Sequence, residues 1–233
     1  VGYPVIKEVI VLAGGLGTRL SGEIGELPKA IAPVGDKPFL SYILDYLVEQ
    51  EIETVVLSLG YRWEIICETF GDQYKSLNLL YAVEKQALGT GGGIRLASDK
   101  ISEKNYFVLN GDTLFKTDLR SLSDFFFEHS ADCAVALKKM KNVNRFGCVQ
   151  LDGNRILKFE EKAPRKEAII NGGTYCIGKS TLRSFPLETA FSFERDYLEV
   201  ATDKKRIFGK LYDEDFIDIG VPEDYQRFIT LNQ

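Results

Sequence analysis

The chain has 233 residues, 45% hydrophobic and 27% charged, with a formal net charge of −5, which suits one large α/β domain. Its basic and acidic residues are intermixed, which argues against a nucleic-acid surface. No apolar run approaches the roughly 18 residues of a membrane span, and Glu8, ahead of the short run Val9–Ala13, does not suit a signal peptide. The cysteines, Cys67, Cys133, Cys148 and Cys176, form no C-x-x-C pair, so neither a zinc knuckle nor a redox dithiol is expected. Isolated thiols suit a reducing cytoplasm, and read as small core residues.

In chain order, Val5–Ala13 is a β-branched apolar run ended by Gly14-Gly15, which predicts a buried strand. Phe39–Glu49 has apolar residues at helical spacing. Thr54–Leu59 reads as a strand and Trp63–Phe70 as a short helix. Leu79–Val83 and Tyr106–Asn110 read as strands, with a helix between them from about Gly92. Leu122–Glu128 is helical and Cys133–Leu137 a strand. This alternation implies a largely parallel sheet with helices on its faces. From Gly147 the pattern changes. Gly147–Leu151 and Ile156–Glu160 flank Asp152-Gly153-Asn154, a hairpin signal. Ala168–Ile177 is a further strand, followed by short helices, strands at Ile207–Leu211 and Phe216–Ile219, and a last helix with Pro222 in its first turn. No linker or repeat interrupts the chain. We expect one domain over residues 1–233, with a nucleotide-binding half to about 145 and an acceptor-binding half from about 146.

The chemistry starts after the first strand. Gly14, Gly15 and Gly17 precede Thr18-Arg19. Glycines let backbone N–H groups approach phosphates, and Arg19 adds a guanidinium for phosphate oxygens. The loop is neither a P-loop nor a dinucleotide fingerprint, because Leu20 stands where the last glycine of G-x-G-x-x-G belongs. Alone, it could also be a plain strand–loop turn. Leu27-Pro28-Lys29 then adds a point charge. Asn110-Gly111-Asp112 closes a strand at the expected carboxyl edge of the sheet, and Asp112 suits Mg²⁺, which takes one or two carboxylates. Asp218, between isoleucines, is either a solvated edge residue or faces a cleft. Glu84 either faces solvent or could accept the two adjacent donors of guanine. His129 is the single histidine and reads as a surface residue, so multi-histidine metal sites are not expected. Phe125–Phe127 is either core or an interface between two copies, which leaves a homodimer open.

Taken together, LAGGLGTRL at 12–20, LPKAIAPVGDKPFL at 27–40, LGTGGGI at 88–94, NGDTLF at 110–115, FEEK at 159–162, NGGTY at 171–175 and FIDIGVPEDY at 216–225 resemble the sugar-1-phosphate nucleotidyltransferases. Their order and spacing are most similar to the branch that uses GTP and D-glycero-α-D-manno-heptose 1-phosphate. The resemblance implies a Rossmann-like three-layer sandwich with a mainly parallel mixed sheet, of the glycosyltransferase-A type. It implies that Leu12, Ala13, Gly14, Gly15, Gly17, Thr18, Arg19, Lys29, Glu84, Gly89 and Thr90 bind the nucleotide. Asn110, Gly111, Arg145, Gly147, Glu161, Lys162, Asn171, Gly173 and Thr174 would bind the sugar phosphate. Asp112 and Asp218 would hold Mg²⁺, and Arg19, Lys29, Asp112, Lys162 and Asp218 would form the catalytic set. Rival readings are the same chemistry with mannose, glucose or amino-sugar 1-phosphates and UTP or dTTP, a non-catalytic nucleotide-sugar sensor, and a dinucleotide oxidoreductase. The intact set argues against the sensor, and the broken glycine fingerprint against the oxidoreductase.

Overall fold

A computed structural model describes residues 2–15, 17–160 and 164–232. Four strands run parallel in the order Asn105–Asn110, Glu8–Leu12, Thr54–Leu59 and Leu77–Val83. Successive residues point to opposite faces of a sheet, and here both faces are covered. Val9, Val11, Val55, Leu57, Phe107 and Leu109 lie in one core. Ile10, Val56, Tyr106 and Val108 lie in the other. The continuous apolar runs of these strands follow from burial on both sides.

The first core takes the apolar stripes of helices Phe39–Glu49, Trp63–Phe70, Leu119–Glu128 and Pro222–Leu231. The second takes helix Gly89–Ala97 and the π-helical turn Phe193–Leu198. Helices thus cover both faces of one sheet, giving the three layers. Phe228 of the last helix packs edge-on against Phe39 at 5.4 Å, which ties the end of the chain to helix Phe39–Glu49.

Five later strands extend the same sheet, and with the short edge strand Gln73–Tyr74 it has ten strands among the described residues. Arg165–Gly178 runs antiparallel to Asn105–Asn110 and to Cys133–Val143. Ile207–Tyr212 returns parallel to Cys133–Val143. The predicted hairpin is present as Cys148–Asp152 and Arg155–Glu160, turning on Gly153 at φ +56°. Phe216–Asp218 leaves the main sheet and pairs antiparallel with Thr113–Phe115.

Several expectations are corrected. The helix expected from about Gly92 begins at Gly89. Gly91, Gly92 and Gly93 are buried inside it, each at a cost of about 1 kcal/mol relative to alanine. Bare backbone is needed there, because a Cβ on Gly91 would lie 2.2 Å from the Phe191 ring and one on Gly92 2.6 Å from the Thr189 carbonyl oxygen. His129 is not a free surface residue. It is half-buried, with its ring against Phe125 and Phe208 and Nδ1 3.1 Å from the Phe125 carbonyl oxygen. The Phe125–Phe127 run is core: Phe125 and Phe126 are buried, and Phe127 stacks on Tyr3. Cys133, Cys148 and Cys176 are buried as expected, whereas Cys67 is only half-buried. Among the described residues, no helix is long and apolar enough to cross a membrane.

The tightest backbone contact joins the two central strands. Gly111 N–H donates to the Leu12 carbonyl at 2.9 Å, and a Cβ on Gly111 would come within 2.5 Å of that oxygen. Gly111→Ala should therefore lower stability to urea by about 1–3 kcal/mol through overpacking. Gly22→Ala, with nothing within 4 Å of the new methyl, should stay within about 0.5 kcal/mol of wild type or exceed it. Equal denaturation midpoints for the two variants would contradict a close approach at Gly111.

Candidate active site

The parallel register aligns the carboxyl ends of the four strands. Leu12 sits opposite both Ser58 and Asn110, and Ser58 opposite Ala82. The residues just past each strand therefore gather at one edge: the glycine loop, Gly60, Glu84, and Gly111-Asp112. The chain runs outward from Glu8–Leu12 through Thr54–Leu59 to Leu77–Val83, then crosses to Asn105–Asn110 on the other side. That reversal opens a crevice, which is where ligands bind in such sheets.

Two adjoining cavities fill the crevice, of about 370 and 410 Å³. They share Gly17, Lys29, Asn110 and Asp112. The second is lined by Leu12, Ala13, Gly14, Gly15, Ser58, Glu84, Ala87, Gly89, Thr90 and Gly111. The first is lined by Arg19, Thr113, Phe146, Asn171, Gly172, Gly173, Phe216, Asp218 and Gly220. Of the expected nucleotide set, most residues line the second cavity, but Arg19 lines the first. Of the expected acceptor set, Asn171 and Gly173 line the first, Asn110 lines both and Gly111 the second, and the two cavities meet at Lys29 and Asp112.

In the glycine loop, Gly14 passes so close to Gly60 that a Cβ would lie 3.0 Å from the Gly60 nitrogen. Gly15 has open space beside it. Gly17 turns at φ +63°, and a Cβ there would meet that of Lys29 at 3.1 Å. Leu20 is buried while Arg19 stays exposed, which anchors the turn and frees the guanidinium at the first cavity. Lys29 begins a short turn held by buried Ala30 and Ile31. Its Nζ donates to Asp112 Oδ2 at 2.6 Å.

Asp112 and Asp218 are brought together by backbone pairing. Asp218 lies opposite Thr113, and Ile219 N–H donates to the Asp112 carbonyl at 2.9 Å. Burial, then the nearby Asp112 charge, raises the Asp218 pKa against the opposing bond from Gly220 N–H at 2.7 Å. Lys29 and Arg145 offset part of the repulsion. Arg145, expected to meet a phosphate, instead pairs with Asp224 and stands 3.7 Å from Asp218 Oδ2. Its guanidinium lies over the Phe146 ring at 4.6 Å. The local excess of carboxylates explains that placement. Hard carboxylate oxygens in a crevice beside Lys29, Arg19 and the glycine loop fit a divalent cation of the kind that completes its shell with phosphate and water. Among the described residues no third His, Cys, Asp or Glu joins such a cluster.

Glu84 is half-buried at the far end of the second cavity. Oε2 accepts from Leu88 N–H at 2.9 Å, and Oε1 stands 3.5 Å from the Ser58 hydroxyl. Burial raises its pKa. Each oxygen keeps a free lone pair. The Thr90 hydroxyl, expected on the nucleotide, accepts from Phe193 N–H at 2.9 Å and donates to Glu194 Oε2 at 2.6 Å. Asn171 lines the first cavity next to Gly173, which turns at φ +73°. Thr174 is 3% exposed and belongs to neither cavity lining, and Gly147 also lies outside both. Glu161, Lys162 and the side chain of Thr18 lie outside the described residues. Sequence reasoning missed Ser58, Phe146, Phe216 and Gly220 on the cavity walls. Ser58 had one signal, a serine inside the apolar run that follows Thr54.

A glycine loop, a lysine and two carboxylates at the switch point of an α/β sheet define an enzyme that works on phosphate groups. The chain belongs to the nucleotidyl transferase family, whose profile matches residues 8–231. It is 44% identical over 220 residues to the D-glycero-alpha-D-manno-heptose 1-phosphate guanylyltransferase of Aneurinibacillus thermoaerophilus, covering 94% of this chain and 96% of that one. The protein of the same description from Campylobacter jejuni is 42% identical over 226 residues, covering 97% and 100%. The crystal structure of HddC from Yersinia pseudotuberculosis complexed with GMP-PN superposes with a TM-score of 0.87 at 31% identity, covering 98% of this chain and 100% of that one.

The raised Asp218 pKa carries a stability consequence. In the metal-free protein, ionised Asp218 is a cost to the fold that protonation removes, so its contribution is best below the unfolded carboxylate pKa and is lost as pH rises through the folded one. Asp218→Asn should raise the thermal midpoint of metal-free protein at neutral pH, and the gain should shrink as pH falls through the carboxylate range. A variant that melts below wild type at neutral pH would contradict this.

Proposed function

We propose that the chain joins GTP to D-glycero-α-D-manno-heptose 1-phosphate, giving GDP-D-glycero-α-D-manno-heptose and pyrophosphate with Mg²⁺. The observation that carries this reading is the pair of chambers meeting at Lys29 and Asp112. One ends in Glu84 and the other is floored by the Asn171–Gly173 turn. Two relatives bearing this activity in their descriptions support the choice of substrates, as does the GMP-PN bound by a similar structure. A cytoplasmic setting, where GTP is made, belongs to the same reading.

In the reaction, an oxygen of the sugar phosphate attacks the α-phosphorus of GTP. A P–O bond forms, the bond from the α-phosphorus to the bridging oxygen breaks, and pyrophosphate leaves with that electron pair. The protein supplies positioning and charge. Backbone N–H groups of the glycine loop approach the triphosphate at Gly15, where space is open. Arg19 offsets charge on the departing pyrophosphate. Lys29, paired with Asp112 in the ligand-free chain, transfers its charge to the α-phosphate and frees Asp112. Asp112 and Asp218 would hold Mg²⁺, which would supply neutralisation of phosphate charge. Lys162 orients the attacking phosphate, and Glu161 binds sugar hydroxyls. At the far end, the two free lone pairs of Glu84 match guanine N1–H and its 2-amino group. Uracil and thymine place carbonyl oxygens beside their single N–H and are repelled.

Release of pyrophosphate, measured with four nucleoside triphosphates against several sugar 1-phosphates, should be greatest with GTP and the heptose 1-phosphate, and should require Mg²⁺. No release with any pair would favour a nucleotide-sugar sensor. Arg19→Ala and Asp112→Ala should each lower kcat/KM by at least about 100-fold, the scale of losing one charge-stabilising group, while keeping a cooperative melt. Near-normal turnover in either would overturn its role. Glu84→Gln should erode the preference for GTP over UTP by about tenfold, one charged hydrogen bond's worth. An unchanged preference would place base recognition elsewhere.

A further inference from the structure

Behind the cleft wall, a line of hydrogen bonds joins the two chambers. It starts at Thr90 in the nucleotide chamber, whose hydroxyl donates to Glu194 Oε2 at 2.6 Å. Ser192 Oγ donates to the same oxygen at 3.0 Å. The other oxygen, Oε1, receives the Tyr175 hydroxyl at 3.4 Å, the longest link. Tyr175 Oη in turn accepts from Asn171 Nδ2 at 2.9 Å. Asn171 Oδ1 accepts from Gly173 N–H at 3.0 Å, and Asn171 lines the sugar-side chamber.

The direction of every bond in this line is set by its one acceptor-only member. An ionised carboxylate donates nothing, so Thr90 and Tyr175 must both donate to Glu194. With its proton committed there, Tyr175 can only accept from Asn171. The Asn171 amide is thereby locked, with its oxygen on Gly173 N–H and one remaining N–H for the cavity. Tyr175 is buried, with 1% exposure, so water cannot easily substitute for a lost partner. Glu194 itself rides on the π-helical turn Phe193–Leu198, whose start is pinned to the nucleotide side by Phe193 N–H on Thr90 Oγ1 and by Gly91 N–H on the Phe191 carbonyl at 3.0 Å.

We infer that Glu194 is a positioning residue that fixes the Asn171 donor in the sugar-phosphate chamber and couples it to the Thr90 loop of the nucleotide chamber. A change at Thr90 should therefore be felt at the acceptor site. The inference rests on the proposed assignment of the two chambers, and its test uses whichever nucleotide and sugar 1-phosphate the wild-type protein turns over, so that a wrong substrate choice does not decide it.

The test measures pyrophosphate release with each substrate varied in turn, alongside thermal melting. Thr90→Val should raise KM for the sugar 1-phosphate by about tenfold, the scale of a hydrogen bond to a charged group, and Thr90→Ser, which keeps the hydroxyl, should restore it. Glu194→Gln should raise the same KM, because its amide can donate to Tyr175 and release the Asn171 lock. In the Glu194→Gln background, Thr90→Val should add nothing further to that KM. Three results would overturn the inference: a KM change for the nucleotide alone, a lowered melting temperature with both KM values unchanged, or strictly multiplicative effects of Thr90→Val and Glu194→Gln.

Discussion

Two carboxylates held side by side in a half-closed crevice are the constraint around which this molecule is arranged. Asp112 and Asp218 repel each other, and burial deepens the cost. The chain tolerates the pair because cations stand beside both: Lys29 on Asp112, and Arg145 near Asp218. That arrangement is also the chemical asset. On the proposed reading, a site that concentrates negative charge beside a lysine can accept a cation and a polyphosphate together. Stability and activity draw on the same few charges in opposite directions.

The scaffold makes this placement with backbone rather than with side chains. Asp112 is set by the close passage of Gly111 along Leu12. Asp218 is set by a three-residue strand paired to Thr113–Phe115. Neither depends on a rotamer of a long side chain. The glycines of helix Gly89–Ala97 obey the same logic, because bare backbone there lets Phe191 and Thr189 approach. The helix gives up local propensity to gain a short distance between the base-side loop and the turn that carries Glu194.

Much of this could be read from the sequence, for reasons specific to each element. The parallel strands were visible because burial on both faces leaves continuous β-branched runs. The glycine loop, Lys29 and Asp112 were visible because their residue types are rare in that order, and the family resemblance added Asp218 and Glu84. Other features left no local trace. Nothing in Phe216–Asp218 says that it quits the main sheet for Thr113–Phe115. Arg145 has the composition of a phosphate ligand, yet its neighbours in space are two aspartates. The hydroxyl of Thr90 is committed to Glu194, a partner distant in sequence that only the packing of the π-helical turn brings near. Long-range pairing of polar groups is where pattern reasoning ends, since no periodicity encodes it.

The short pairing of Phe216–Asp218 with Thr113–Phe115 has a consequence in time. A ribosome adds about 5–20 residues per second, N-terminal residues first, and a domain generally folds as a unit. The glycine loop, Lys29 and Asp112 are all made before Asp218 and before helix Pro222–Leu231, which completes the first core. A nascent chain at that stage has Lys29 and only one of the two carboxylates. The two carboxylates meet only when one of the last strands docks, so on the proposed reading the site is completed late in synthesis.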